Sequence, residues 1–409
     1  MPRLVMKFGG TSVADLERIE NAATKIAREV SKGYDVIVIV SAMAGKTNEL
    51  VSWVRETVPL YDAREYDAVV SSGENVTAGL MALRLQAMGV EARSWQGWQV
   101  PVRTTSAHGI ARIEEIGTDA LAAKFAEGQE VAVIAGFQGV SAENRITTLG
   151  RGGSDTTAVA FAAAFEAERC DIYTDVDGIY TTDPRITDKA RKLHRIAYEE
   201  MLELASLGAK VLQTRSVELA MRYKVRLQVL SSFDDLPGTL VCDEEEIMET
   251  NVVSGVAFSR SEAKMTLLSV ADRPGVAAAV FGPLAEAGVN VDMIVQDVSE
   301  DGLTNMTFSC PIDEMERARA ALIGARDRGE IAYQRFETDT DVAKVSIVGI
   351  GMRSHTGVAQ RMFRALADDG VNIKVIATSE IKVSVLIDRK YLELAVQALH
   401  DAFELHETG

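Results

Sequence analysis

The chain has 409 residues, of which 47% are hydrophobic and 25% charged, and a formal net charge of −17. Such a composition excludes a disordered chain and describes a folded protein of about two to four domains. The negative field repels polyanions, so a nucleic-acid or anionic-membrane partner is excluded, whereas one nucleotide held by local amides and cations is not.

Three cysteines, Cys170, Cys242 and Cys310, stand far apart without metal-ligand spacing, which fits reduced, structural thiols of a cytoplasmic protein. The first residues run straight into a strand at Leu4-Val5-Met6 with no basic-then-apolar leader, and no apolar run is long enough to span a bilayer. The expectation is a cytosolic protein.

In chain order, Leu4 to Phe8 is a short buried strand broken by Gly9-Gly10. Thr11 or Ser12 then caps a helix from about Val13 to Ser31, with Ile19, Ala23, Ile26 and Val30 on one face. Lys7 sits just before the glycine turn. It is either a solvated strand end or a cation above a phosphate site made by the turn and the helix N-terminus. Tyr34 to Val40 is a second, all-apolar strand of the kind buried on both faces in parallel sheets. It ends in small and hydroxylic residues from Ser41 to Asn48, at the strand edge where open α/β sheets bind ligands.

A helical pattern covers Glu49 to Val58. Ala68 to Ser72 reads as a brief strand and Gly73 as a turn, and Glu74 opens a helix to about Met88. Further segments follow at Ala92 to Trp95 and Glu114 to Glu127. The strand Val131 to Phe137 then rises into a loop with Asn144 and Thr147, followed by Gly150-Arg151-Gly152-Gly153-Ser154-Asp155 and a helix to Phe165. Gly152 and Gly153 allow close backbone approach. Ser154 and Asp155 are favoured cap types at a positive helix end, and Arg151 offers a planar fork for a carboxylate. Asp171 to Thr174 is another strand. It leads into a loop, Thr174 to Arg185, whose acids, Tyr180 and Arg185 suit a base and ribose pocket or serve only as an ordered connection. Helices from about Tyr198 to Ala205 and Leu212 to Tyr223 enclose Gly208-Ala209-Lys210, and Val225 to Leu230 makes a last strand. Strands alternating with helices predict a largely parallel sheet with helices on both faces.

Asp243 to Glu246, beside Pro237-Gly238, reads as a solvated linker, and beyond it the chain repeats itself. Lys264 to Val270, a helix to Ala287, Val291 to Val295, Thr304 to Ser309 and a helix to Arg326 form one unit. Lys344 to Val348, a helix to Asp368, Ile373 to Ala377, Lys382 to Ile387 and a helix from Lys390 to Phe403 form the second. Gly275 and Gly288 of the first recur as Gly357 and Gly370 of the second at the same spacing, the signature of a tandem βαββα repeat.

There is no Gly-x-x-x-x-Gly-Lys-Ser/Thr, no kinase-type glycine loop with His-Arg-Asp, no Gly-x-Ser-x-Gly and no His/Cys cluster for a protein-held metal. Two glycine-rich strand-to-helix turns with cations at Lys7 and Arg151 meet the needs of phosphoryl transfer, which are positioning and charge neutralisation. The histidines, His108, His194, His355, His400 and His406, and the Trp95/Trp98 pair read as packing or surface residues.

Together Lys7-Phe8-Gly9-Gly10-Thr11-Ser12, Ser72-Gly73-Glu74, Phe137-Gln138-Gly139, Gly150 to Asp155 and Thr174 to Arg185 resemble the aspartate kinases of the amino-acid kinase superfamily. The tandem C-terminal units resemble their paired ACT domains. The resemblance spans essentially the whole chain. It implies an α/β N-terminal kinase domain with a mainly parallel sheet over residues 1–240 and a linker over 241–262. Two ferredoxin-like βαββαβ ACT units would follow over 263–338 and 339–409, with terminal strands open to exchange between them.

The implied activity is ATP-dependent phosphorylation of the L-aspartate side-chain carboxylate to 4-phospho-L-aspartate, on the route to lysine, threonine and methionine. By motif, Lys7 would neutralise the transferring phosphoryl group, and Asp155 would orient the lysines and the Mg²⁺-bound phosphates of ATP. Arg151 would hold the α-carboxylate of aspartate and Glu74 its ammonium, with Ser41, Thr47 and Ser154 lining the acceptor pocket. Phe8, Gly9, Gly10, Thr174, Asp175, Tyr180, Arg185 and Lys210 would hold ATP. Lysine, threonine or both would bind at Asp272, Gly275, Val276, Asn290, Val291, Asp292, Gln296, Asn372 and Ile373. The chain would form a homo-oligomer, a dimer or tetramer, through its ACT units, with Met248 a candidate internal start for a shorter chain. Two rivals are another amino-acid kinase, for glutamate or acetylglutamate, and a catalytically silent amino-acid sensor.

Overall fold

β1 (Arg3–Phe8), α1 (Leu16–Ser31) and β2 (Asp35–Val40) begin a doubly covered sheet, because Leu4, Val5, Met6 and Phe8 and the run Val36 to Val40 carry apolar side chains to both faces and all are buried. The computed structural model describes residues 1–207, 211–247, 252–298 and 302–407. Gly208-Ala209-Lys210 and Met248 therefore lie outside the described residues. Two units emerge: Met1–Ile179 with Lys192–Ala205 and Lys210–Met248, and Tyr180–Arg191 with Ser206–Ala209 and Glu249–Gly409.

The first unit continues with α2 (Lys46–Thr57), α3 (Ala63–Val70), α4 (Ser72–Ala87), β3 (Ala92–Trp95), β4 (Val102–Thr104), β5 (Ile113–Ile116) and α5 (Asp119–Ala126). It then has β6 (Val131–Ala135), β7 (Gln138–Ser141), β8 (Ile146–Thr148), α6 (Gly153–Ala164), β9 (Arg169–Thr174), β10 (Arg195–Ala197), α7 (Tyr198–Ser206), α8 (Thr214–Tyr223), β11 (Leu227–Ser231) and β12 (Thr239–Cys242). The main sheet has the order β10-β12-β11-β9-β1-β2-β6-β3 and is parallel except where β12 runs against β11. A small second sheet, β5-β4-β7-β8, carries the chain from β6 to α6.

Several expectations are corrected. Residues 68–72 are not a strand: α3 and α4 meet there, and Asp62 caps α3 by accepting from the Arg64 amide at 2.8 Å. A short apolar run does not distinguish strand from helix by itself. Gly73 lies inside α4, where its missing Cβ lets the Ala42 methyl come within 2.7 Å of the position a side chain would need. The cap of α1 is Asp15, accepting from Arg18 N, because residues 10–13 form a 3₁₀ turn and the Ser12 hydroxyl is taken by Ser232 at 2.5 Å. The stretch with Asn144 and Thr147 is the β7–β8 hairpin, turning where Asn144 has φ +58°. α6 begins at Gly153, so Ser154 and Asp155 occupy its first turn instead of its cap. Val225 to Leu230 is not the last strand of this unit, since β12 follows it.

In the second unit β13 (Gly255–Ala271), α9 (Val276–Glu286), β14 (Asp292–Val298), β15 (Leu303–Pro311) and α10 (Met315–Asp327) are matched by β16 (Arg335–Val348), α11 (Val358–Asp368), β17 (Ile373–Thr378), β18 (Lys382–Asp388) and α12 (Leu392–Ala402). One antiparallel sheet, β14-β15-β13-β16-β18-β17, joins the two repeats. β13 and β16 are longer than the sequence pattern indicates. Gly255–Ser259 pairs with Lys344–Val348, and Lys264–Leu268 pairs with Arg335–Asp339. Each repeat has its own core, one around Met265, Leu284, Phe308 and Leu322, the other around Val345, Leu366, Val385 and Leu399. Val253 and Val256 join the latter, and so does Ile186 of the segment Tyr180–Arg191.

Candidate active site

At its carboxyl end β1 delivers Lys7, which is 8% exposed, and its Nζ lies 2.5 Å from Asp155 Oδ1 in the first turn of α6. An ammonium inside a protein is tolerated when a carboxylate accompanies it, and the two stand together here. Beside them the chain turns at Gly9 and Gly10. A side chain on Gly9 would come within 3.3 Å of the Lys7 ammonium, and one on Gly10 within 3.0 Å of the Ala42 carbonyl. The backbone is thus bare where Lys7 is presented. The 3₁₀ turn Gly10–Val13 adds free amide ends at the same edge.

Ser41-Ala42 follows β2, the neighbour of β1, and the Ala42 amide donates to Glu74 Oε1 at 3.0 Å. Glu74 is 3% exposed, and its Oε2 has no partner among the described residues. Burial pushes its carboxyl up to about 7, against the pull of the Ala42 amide. A buried carboxylate with one unsatisfied oxygen is costly alone and becomes favourable when a cation arrives. Thr47 lies in the first turn of α2, half-buried, and Ser154 is buried.

The loop before α6 is built for tight turning. Gly150 and Gly152 have φ +75° and +73°, and the missing Cβ of Gly153 lets the half-buried Phe137 ring come within 2.7 Å of the place it would fill. Arg151 at its crest is exposed. Arg215 of α8 ties the loop down through the carbonyls of Leu149 at 2.8 Å and Ala111 at 2.9 Å. On the other side Asp67, fully buried, gathers His108 Nδ1 at 2.7 Å, the Gly109 amide at 3.1 Å and the Thr148 hydroxyl at 2.5 Å. Gln138 donates to the Ser71 carbonyl and to Asn75, linking β7 to the start of α4. Asp67, His108, Thr148 and Arg215 were not singled out from sequence. Each stands in a stretch of mixed polar and apolar residues that gives no signal of its own.

The structure brings Lys7, Gly9, Gly10 and Asp155 together at one strand edge, with Glu74 one strand away. Thr174 ends β9, the other neighbour of β1, Asp175 follows it, and Thr174 Oγ1 donates to Asp175. Tyr180 and Arg185 belong to the segment that groups with the second unit, where Arg185 forks onto Asp183 and projects into solvent. Lys210 is not among the described residues.

In the second unit Asp272 to Val276 is an exposed turn entering α9, with Gly275 at φ +90°. Asn290 is exposed and its amide donates to Glu314, while Asp292 reaches the buried Lys344 at 2.8 Å. Val291 is half-buried and Gln296 is exposed on β14. Asn372 and Ile373 lead into β17, and β14 and β17 approach each other, with Met293 and Val375 in one small cluster. No helix among the described residues is long and apolar enough to cross a membrane.

The chain is similar to known proteins along nearly its whole length. The amino acid kinase family profile matches residues 2–231, and ACT domain profiles match 264–326 and 345–403. An aspartate kinase of Pseudomonas putida is 52% identical over 99% of this chain and 98% of its own length. An aspartokinase of Mycolicibacterium smegmatis is 48% identical over 99% of this chain and 97% of its own. Among solved structures, aspartokinase III of E. coli in complex with aspartate and ADP (R-state) superposes with a TM-score of 0.80 at 29% identity, covering 98% of this chain and 99% of that one. The same enzyme with lysine and aspartate (T-state) gives 0.77 at 28% identity, over the same shares of the two chains.

Proposed function

The chain belongs to the aspartate kinases of the amino acid kinase family, and from that premise we propose how its residues divide the work. The observation that carries the assignment is the buried Lys7–Asp155 pair at the junction of two glycine turns. ATP lies with its phosphates over Gly9 and Gly10. The side-chain carboxylate oxygen of aspartate attacks the γ-phosphorus in line, the bond to the β-phosphate oxygen breaks, and ADP leaves as the acyl phosphate forms. Lys7 meets the charge that spreads over the transferring group, and Asp155 holds the Lys7 ammonium in place.

Asp155 also suits Mg²⁺. Its Oδ1 has the Lys7 ion pair but no well-directed hydrogen bond, and a hard cation takes such an oxygen donor alongside phosphate oxygens. When bound, the ion neutralises charge on the β- and γ-phosphates. Thr174 and Asp175 serve the nucleotide from the end of β9 together with Lys210, and Phe8 backs the turn by stacking on Tyr173 at 4.7 Å. The zwitterion of aspartate finds its anion in Glu74 and its cation in Arg151, with Ser41, Thr47 and Ser154 lining the space between.

The second unit acts as the sensor. Lysine, threonine or both bind at the Asp272–Val276 turn and at the paired starts of β14 and β17, and shift the enzyme between active and inactive arrangements. Support comes from the two ACT matches and from the lysine-bound relative. The exposed Ile294, Val295 and Ile376 on the edge strands β14 and β17 are the surface through which two copies associate. The reaction opens the route to lysine, threonine and methionine in the cytoplasm.

One coupled assay tests the reading: ATP, Mg²⁺ and hydroxylamine with aspartate, glutamate or acetylglutamate as acceptor. Hydroxamate formed from aspartate alone supports it, and equal formation from glutamate overturns it. Adding lysine and threonine singly and together tests the sensor, which no inhibition by any mixture would remove.

A further inference from the structure

α12 ends in a turn that reverses the chain. The Glu404 amide donates to the Asp401 carbonyl at 3.0 Å and the Leu405 amide to the His400 carbonyl at 3.1 Å, with Glu404 at φ +55°. This is the paired-bond ending of a helix whose next residue is left-handed, and the fully buried Leu405 holds it in place. Its effect is to fold His406 back beside His400, ring centroids 6.5 Å apart. Asp401 stands next to both, so that one ligand atom from each of the three lies within 4.8 Å of the others.

His400 is the informative member. It is fully buried, its Nε2 lies 2.9 Å from Thr181 Oγ1, and its Nδ1 has no partner among the described residues. Thr181 Oγ1 already accepts the Arg191 amide at 3.0 Å. Its second lone pair can accept Nε2–H, and in that tautomer Nδ1 is a bare lone pair. A buried imidazole nitrogen with no partner is costly, and an outer hydrogen bond from the opposite ring nitrogen is how ligating histidines are usually oriented.

We propose that His400 Nδ1, His406 and Asp401 form a binding site for a divalent transition-metal ion of the zinc class, with a fourth position left to water. Two imidazoles and a carboxylate are the donor set such ions take. Bonds of about 2.0–2.1 Å at tetrahedral angles put ligand atoms about 3.3 Å apart, so the three, which lie within 4.8 Å of one another, close by at most about 1.5 Å. His406 and Asp401 are exposed and free to turn towards the fixed His400. The competitor is Lys189, whose ammonium holds both Asp401 oxygens at 2.8 Å. Metal binding displaces it, and thereby loosens one of the polar ties, among them Thr181–His400, Lys189–Asp401 and Gln397–Ile186, that fix the segment Tyr180–Arg191 to α12.

The test titrates the full, untagged chain with Co²⁺ and then displaces it with Zn²⁺. The expected result is one ion per chain with visible ligand-field bands. His406→Ala, a surface change that leaves the core intact, should weaken binding about a hundredfold, and Asp401→Asn about tenfold or more. Thr181→Val, which removes the outer hydrogen bond together with the acceptor of the Arg191 amide, should weaken it by about 10–100-fold. Absence of the bands, or the same affinity in the wild-type and His406→Ala chains, overturns the site.

Discussion

Replacing Glu74 by Gln gives a quantitative test of the acceptor pocket. The carboxyl is raised from 4.5 to about 7 by burial. A carboxyl whose folded value exceeds its unfolded one holds its proton longer in the native state. Stability therefore falls as pH climbs from about 4.5 to 7 and levels off above. The full gap corresponds to about 3 kcal/mol, and the part accrued between pH 5 and pH 8 is about 2.5 kcal/mol. The variant cannot ionise there. Its denaturant stability relative to wild type should rise by that amount over the same interval, whatever constant offset the new amide introduces. Aspartate should bind the variant more weakly, by about 10–150-fold in KM, because one charge-assisted hydrogen bond to its ammonium is worth about 1.5–3 kcal/mol. Wild-type kcat/KM for aspartate should drop below pH 7 as free Glu74 takes a proton, and the variant should lack that limb. Parallel stability curves together with a KM within twofold of wild type would refute the account.

Lys7→Ala should lower kcat on the order of 10³-fold while leaving aspartate KM within a few-fold, measured by steady-state kinetics. Gly152→Ala puts a methyl on a residue at φ +73°, 2.7 Å from Gln213 Cβ, and should cost about 1–3 kcal/mol in chemical denaturation. Asp67→Ala leaves His108, the Gly109 amide and Thr148 without their shared acceptor. The expected loss is about 3–5 kcal/mol by urea titration, with a raised aspartate KM because the Gly150 loop loses its support.

Much of the fold was legible because its physics is local. Val36 to Val40 had to be buried on both faces, and the glycine turns after β1 and before α6 had to bend where they do. The repeat in the second unit showed itself by spacing alone. What escaped depends on partners distant in sequence. Asp67, His108 and Thr148 form one cluster only after the small sheet folds, and nothing near Asp67 in the sequence announces it. The helix at residues 63–70 was hidden because the short apolar run Ala68-Val69-Val70 suits a strand equally well. Lys7 and Glu74 were singled out from their neighbours, but the bare Oε2 that makes Glu74 receptive is a property of packing.

The segment Tyr180–Arg191 leaves β9's unit after Ile179, seats Ile186 in the core beneath α12, and returns at Lys192. The gene is therefore less modular than its order of domains implies. A fragment ending near residue 247 would carry a stretch stripped of the side chains that hold it, and transplanting a foreign sensor onto the N-terminal half would require redesigning an internal passage as well as the junction. Recombination breakpoints that respect only the linear boundary should yield poorly soluble chimeras, whereas those that also exchange residues 180–191 should be recovered intact.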